Sequence, residues 1–436
     1  MSLSLSLPCD TWCQRVTPQQ ERRLIHQQAD LDKLGRHRPF YSATIFRYQS
    51  PLDRDRLQSA LAELVRHHEA LRYVFHSHDG EWFVTSVPEV EVDVFELVPD
   101  APLDDPDDSW LQNYADFGPG RPDHIAAGVV DIGAGSAIVL LADHLVIDAQ
   151  SWSLLLADLG SLYRGDGGDL GPVDTSARDA LDKVRTAYQK ATIPASWQPV
   201  VEEMSRTTPF GWVDLPTLVG FDTPKSDATK VARAIDLTDA GLEQVCHAMR
   251  RTRFSLLLAA VYGAISRTVP GEPSFLYVYP SFREGLRLGN AMGWFTGQAL
   301  LRVSEEDSPE RRWAAAQADS IGASINRWAV TERINEVVDV SRRFAARPSL
   351  SVGMDTGGRD LDLGLPQSEV ASAERVGVQT RGRIAVEFTQ ERDQLECAVS
   401  YEPVRFAAET VELLVQEIVD ELLILVRLPE REQVAP

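Results

Sequence analysis

The sequence predicts an α/β protein of two lobes, and three stretches carry that expectation. Ala137 to Ala142 is an unbroken apolar run, which suits a strand buried on both faces. Just beyond it, Leu155, Leu159 and Leu162 recur at helical spacing, with Tyr163 beside the last, until Gly165 breaks the pattern. In the second half, an apolar helix at Ser255 to Arg267 precedes a strand at Ser274 to Tyr279. Strands and helices therefore mix in both halves, and no repeat of fixed period is visible.

Taken in order, the N-terminus alternates serine and leucine without a basic region, so it does not read as a secretory signal. No apolar run approaches the length of a membrane span, and a cytoplasmic protein is the expectation. Asp53 opens a helix whose Leu57, Leu61, Leu64 and Val65 form one face. Tyr73–Phe75 and Trp82–Val84 read as strands joined by a turn at His78-Asp79-Gly80. Ala101 to Asp108 is an exposed loop, and Gly133-Ala134-Gly135 is a turn that leads into a strand, not a phosphate cradle. After the Gly- and Asp-rich break at 165–169 a helix runs to about Lys190. Residues 193 to 230 hold five prolines and little periodicity. The expected division is an N-terminal lobe over 1–192, a connection over 193–230 and a C-terminal lobe over 231–436. In the last stretch, Ile384–Phe388 and Leu395–Tyr401 form a hairpin, and Ala407 to Arg427 the final helix.

A chain of 436 residues with 44% hydrophobic content has ample core for two or three domains. Its formal net charge of -22 argues against nonspecific nucleic-acid binding and against an anionic membrane surface. Cys9 and Cys13 have no second His or Cys pair nearby, so they do not make a zinc site, and Cys246 and Cys397 stand alone. His76 and His78 share one strand face, read as exposed, without the further ligands a metal needs. Asp360 and Asp362 miss the spacing of a calcium loop. No metal is expected.

The chemistry concentrates in Ala142-Asp143-His144-Leu145-Val146-Ile147-Asp148-Ala149-Gln150-Ser151-Trp152. A strand delivers His144 into a short loop, and a helix begins just beyond, with Asp148 or Ser151 as its cap. An imidazole held at the junction of two rigid elements is well placed for proton transfer near neutral pH.

This segment resembles the H-H-x-x-x-D-G motif of the condensation-domain superfamily, which includes nonribosomal peptide condensation domains and chloramphenicol acetyltransferase-like enzymes. Asp143 stands where the family has its first histidine and Ala149 where it has glycine, while His144 and Asp148 match the catalytic histidine and the aspartate. Other elements are similar in the same order: His68-Glu69-Ala70-Leu71-Arg72, the helix from Ser255 to Tyr262, Gly293-Trp294-Phe295-Thr296-Gly297-Gln298 with Leu301-Arg302, and Tyr401-Glu402-Pro403 with Phe406. Gly297 replaces an asparagine of the family pattern.

The resemblance implies two chloramphenicol acetyltransferase-like lobes forming a V-shaped pseudo-dimer around a tunnel, in a free-standing, monomeric acyltransferase. The expected reaction joins an acyl group, held as a thioester on the phosphopantetheine of an acyl or peptidyl carrier protein, to a small-molecule amine or hydroxyl acceptor. Acyl-coenzyme A is the alternative donor, and a catalytically silent module that recruits assembly-line partners is a further alternative. No bound cofactor is implied. His144 is expected to act as the base, or at least to position the nucleophile. Asp148 is expected to pair with Arg283 of Tyr279-Pro280-Ser281-Phe282-Arg283 and to hold the loop. Asp143 either accepts local hydrogen bonds or places its charge near His144 or a cationic acceptor. Ala149 adds a methyl that narrows the tunnel or excludes a positive backbone angle. Ser151 is either a pantetheine contact or a cap, and Trp294 and Gln298 are either tunnel-lining or core. An acidic carrier partner would need a local basic patch; Arg250, Arg251 and Arg253, or Arg342, Arg343 and Arg347, either supply one or simply solvate a surface.

Overall fold

The computed structural model describes residues 12–35, 40–97, 111, 114, 117–165, 170–171, 173, 175–205, 229–268, 275–304, 306–337, 349–355, 361–365, 367–371, 383–391 and 394–429. The expected loop at 101–108, Cys9, Asp360 and the arginines 342, 343 and 347 lie outside the described residues. Two compact units account for the chain. The first comprises Met1–Thr186, Arg287–Phe295 and Gly357–Val378, and the second Ala187–Leu286, Thr296–Thr356 and Gln379–Pro436.

The first unit begins with β1 (Cys13–Arg15), α1 (Pro18–Leu34), β2 (Tyr41–Tyr48) and α2 (Arg54–His67). Then come β3 (Tyr73–His78), β4 (Glu81–Ser86), β5 (Val94–Glu96), β6 (Ile125–Ile132), β7 (Gly135–Asp143), α3 (Ala149–Arg164) and α4 (Ala177–Lys190). The second unit contains α5 (Gln198–Ser205), β8 (Thr229–Ile235), α6 (Asp239–Met249), α7 (Arg253–Thr268), β9 (Phe275–Val278), α8 (Arg283–Leu286) and β10 (Ala299–Arg302). It continues with α9 (Pro309–Gly322), α10 (Trp328–Val337) and β11 (Ser349–Asp355). β12 (Gln367–Ala371) follows in sequence but belongs to the first unit; β13 (Arg383–Glu391), β14 (Gln394–Tyr401) and α11 (Ala408–Val426) complete the second.

The sheet that carries the candidate site has the order β12-β2-β7-β6-β5. β7 is central, antiparallel to both β2 and β6, and every one of its residues is buried, as its apolar run predicts. Ala137, Val139 and Leu141 point into a cluster with Tyr41, Ile45, Val130 and Phe117, while Ile138, Leu140 and Ala142 are buried on the opposite face. A second sheet in this unit, β1-β4-β3, contains the expected hairpin, with Asp79 and Gly80 both at positive φ in its turn. The second unit is built on a six-stranded mixed sheet, β10-β9-β11-β13-β14-β8, in which β11 runs parallel to β9 and β13.

Local chemistry explains most boundaries. Asp53 caps α2 through Arg56 N–H, and Leu57, Leu61, Leu64 and Val65 are its buried face. Asp148, not Ser151, caps α3, and Gly165 ends that helix in the left-handed region. The capping box between Thr17 and Gln20, with Pro18 at the first position, starts α1. That helix and strands β2 and β6 fall outside the expected set. The stretch expected as a bare connection contributes Val201, Ile193 and Trp197 to a cluster with Phe275, Tyr277 and Leu300 of the second unit. No described helix is long and apolar enough to cross a membrane. His76 is half-buried rather than exposed: its ring stacks on Phe83, and desolvation holds its pKa below the usual histidine range.

Candidate functional site

β7 ends at Asp143 and α3 starts at Ala149, so residues 144 to 148 form a tight strand-to-helix loop. Several hydrogen bonds fix its backbone. His144 N–H donates to the Phe40 carbonyl at 2.8 Å, and Val146 N–H to the Asp143 carbonyl at 3.1 Å. The Leu145 carbonyl accepts from Gln20 Nε2 at 2.8 Å, while Gln20 Oε1 accepts from Thr17 N–H at 3.0 Å. The first turn of α1 is thereby tied to the loop. Leu145, Val146 and Ile147 are buried and anchor it from within.

The His144 side chain is partly exposed. Its ring lies parallel to Phe40, centroids 4.3 Å apart at 9°, and meets Trp294 edge-on at 5.2 Å and 67°. Arg23 also lies over the Phe40 ring, 4.6 Å from its centroid. The imidazole is thus held between two aromatic side chains that restrict its rotation and still leave it reachable.

Asp148 and Ser151 explain why Trp294 sits there. Asp148 Oδ1 accepts from Ser151 N–H at 2.8 Å, the helix cap, and Oδ2 accepts from Phe295 N–H at 2.9 Å. Ser151 Oγ donates to the Gly293 carbonyl at 2.8 Å and accepts from Gly293 N–H at 3.0 Å. The residues on both sides of Trp294 are therefore pinned to the start of α3. Position 293 needs glycine for a close approach, since a Cβ there would stand 2.3 Å from the Phe295 ring. Ser151 is 1% exposed and its hydroxyl is engaged on Gly293. Ala149 is exposed at the first position of α3.

Asp143 is fully buried. Its Oδ1 accepts from Leu145 N–H at 2.9 Å, and its Oδ2 lies 2.9 Å from His124 Nδ1. This is the local hydrogen-bonding role; the carboxylate presents no surface to a solute. His124, also fully buried, places Nε2 2.8 Å from the Tyr73 carbonyl. His124, Phe40, Gln20 and Arg23 are absent from the sequence-derived set. For His124 a signal exists: the hairpin register pairs Ile132 with Gly135 and Ile125 with Ala142, which places residue 124 opposite 143.

The structure brings His144, Asp143, Asp148, Ala149, Ser151 and Trp294 together in the first unit. Arg283 and Gln298 belong to the second: Arg283 is buried at the start of α8, and Gln298 is partly exposed before β10. Beside Gln298, a Cβ on Gly297 would stand 2.7 Å from Phe282, whose ring stacks on Trp328 at 4.2 Å. The aromatic pair occupies the room that an asparagine would need. Gly297→Asn is expected to destabilise the protein by about 1–3 kcal/mol, the usual cost of overpacking. Denaturant titration checks this, and an unchanged midpoint would show that the aromatic pair moves aside freely.

Cysteine chemistry is disfavoured at the buried thiols. Desolvation pushes Cys246 up to about 11 and Cys397 up to about 12, so neither supplies thiolate at neutral pH. Among the described residues no group of His, Cys, Asp and Glu is placed to hold a metal. Arg250 and Arg251 border a surface cleft of about 500 Å³ with Cys246, His247, Thr252 and Gln317. Arg253 is instead paired with Asp239 and Glu243.

A family model described as the Condensation domain matches residues 13–312. A plipastatin synthase of Bacillus subtilis (strain 168) is 24% identical over 414 residues, which cover 88% of this chain and 16% of that protein. The chain therefore spans a small part of that relative's length. The epimerization domain from the third module of tyrocidine synthetase B superposes with a TM-score of 0.70 at 17% identity, covering 90% of this chain and 93% of that one. The first condensation domain of the calcium-dependent antibiotic synthetase, in complex with a substrate analogue, superposes with a TM-score of 0.66 at 18% identity, covering 96% and 97%. Both likenesses concern the fold, and they agree with the expected α/β architecture of two chloramphenicol acetyltransferase-like lobes. Matched by the family model over more than half its length, the chain belongs to the condensation-domain family.

Proposed function

We propose that the protein is a condensation-type acyltransferase that joins a carrier-bound acyl thioester to an amine or hydroxyl acceptor. The observation that supports this most is the partly exposed His144 ring, presented by the loop between β7 and α3 in a chain of this family. In the proposed step the acceptor's lone pair attacks the thioester carbonyl. His144 takes the proton that the nucleophile loses, the C–S bond breaks, and the pantetheine sulfur leaves as a thiol once the proton is returned to it. The phosphopantetheine-tethered acyl group is a substrate brought by the partner carrier protein. Phe40 and Trp294 orient the imidazole, and Asp148 and Ser151 act on the geometry of Trp294, not on the reacting atoms.

The test is reconstitution with acyl groups loaded on carrier proteins or on coenzyme A, with thioester and product followed by intact-mass spectrometry and the α-carbon configuration by chiral chromatography of the released acyl group. Faster acceptor-dependent loss of the carrier thioester than of the coenzyme A thioester is expected. Preference for coenzyme A would replace the donor assignment. Thioester recovered intact, or recovered with an inverted α-carbon, would overturn the condensation reading.

A further inference from the structure

We propose that His124 is a positioning residue for His144 and acts through Asp143. This rests on the reading of His144 as the acting histidine. The observation behind it is a fully satisfied polar chain buried beneath the loop. The Tyr73 carbonyl only accepts, so His124 Nε2 carries a proton. Nδ1 faces Asp143 Oδ2 at 2.9 Å, so a second proton lies between ring and carboxylate. The other carboxylate oxygen holds Leu145 N–H, two residues along, in the manner of an Asx turn. His144 is the residue between these two fixed points. Its own N–H is bonded to Phe40, so a rotation of the Asp143 side chain would release one of the backbone anchors beside it.

The chain of contacts runs from the start of β3, through the residue before β6, to the end of β7. It crosses no solvent, because His124 and Asp143 are both 0% exposed. Removing one partner leaves a buried polar group uncompensated, which is far costlier than removing both. The pairing also accounts for the aspartate in the motif. The imidazole that the resemblance places at position 143 is supplied here by the residue that precedes the neighbouring strand, and residue 143 is its carboxylate counterpart. Asp143 thereby serves the loop backbone and not the acceptor.

Two measurements on the full chain test this. Spectra of ¹⁵N-histidine-labelled protein should show both His124 ring N–H protons downfield and slow to exchange, with the Nδ1–H signal lost in Asp143→Asn. Steady-state kinetics, run well below the melting temperature, should show kcat lowered about 10- to 100-fold in His124→Gln and Asp143→Asn, with KM little changed, as expected for misplacement of a reacting group. The double variant should be no worse than either single one. Phe75→Leu is the packing control: its ring meets His124 edge-on at 5.6 Å, so it should lower the melting temperature and leave kcat intact. Should Asp143→Asn fail to fold, His124→Gln, which keeps a donor for the Tyr73 carbonyl, carries the kinetic arm. Parental kcat in folded His124→Gln, or freely exchanging ring protons in the parent, would overturn the proposal. Parental turnover in His144→Ala would remove the base assignment instead, and the spectra, which need no substrate, report on the pair in either case.

Discussion

His144→Ala is expected to lower acyl transfer by about 100- to 10,000-fold, the usual range for general-base assistance. The fold should survive the change. The ring is partly exposed, and it packs against the rings of Phe40 and Trp294. Contacts of that kind contribute about 0.5–1.5 kcal/mol each, which is small beside the stability of a chain this size. Loss of rate should therefore appear with circular dichroism and melting close to the parent. Full turnover with intact structure would show that another group moves the proton.

The second large effect is expected at Asp148, and it is of a different kind. Asp148→Ala removes the cap of α3, worth about 0.5–2 kcal/mol. It also strands the buried Phe295 N–H, which adds about 1–3 kcal/mol for an unsatisfied donor. Both groups bond the same carboxylate, through Oδ1 and Oδ2 respectively. The variant should thus melt well below the parent and lose rate, because Trp294 is no longer held against His144. Asp148→Asn keeps one acceptor oxygen for two N–H groups and should fall between them. Melting of Asp148→Ala together with the parent would show that the carboxylate is not needed to hold the 293–295 segment.

The legible parts of the chain are those in which local pattern and tertiary role agree. α2 and α3 announce themselves by leucine spacing and an acidic cap, and β7 by a run that is apolar because both its faces are covered. β6 is also an interior strand, yet its Ala126, Ala127 and Gly128 lack the branched side chains that mark a strand. Position 128 is small because Phe95 and Leu97 press against it, a reason visible only in three dimensions. α1 is rich in glutamine and charge, so its periodicity is weak; its capping box was readable all the same. In the site, His144 and Asp148 stand in a recognisable local motif. Phe40, Trp294 and His124 reach the imidazole or its loop from 104 residues before, 150 after and 20 before, and only strand register and long-range packing bring them there.

The position of β12 makes assembly of the first unit a late event. β2 finds one neighbour in β7 about a hundred residues on, but its other edge is covered by residues 367–371, after most of the second unit's strands and helices have been made. Until that return, a nascent chain emerging from the ribosome exposes the Ile45–Tyr48 edge of the strand with its amide and carbonyl groups unpaired. A fragment ending before residue 357 keeps the loop that bears His144 yet lacks the strand that seals its sheet, and such a fragment should aggregate or demand a chaperone where the whole chain does not.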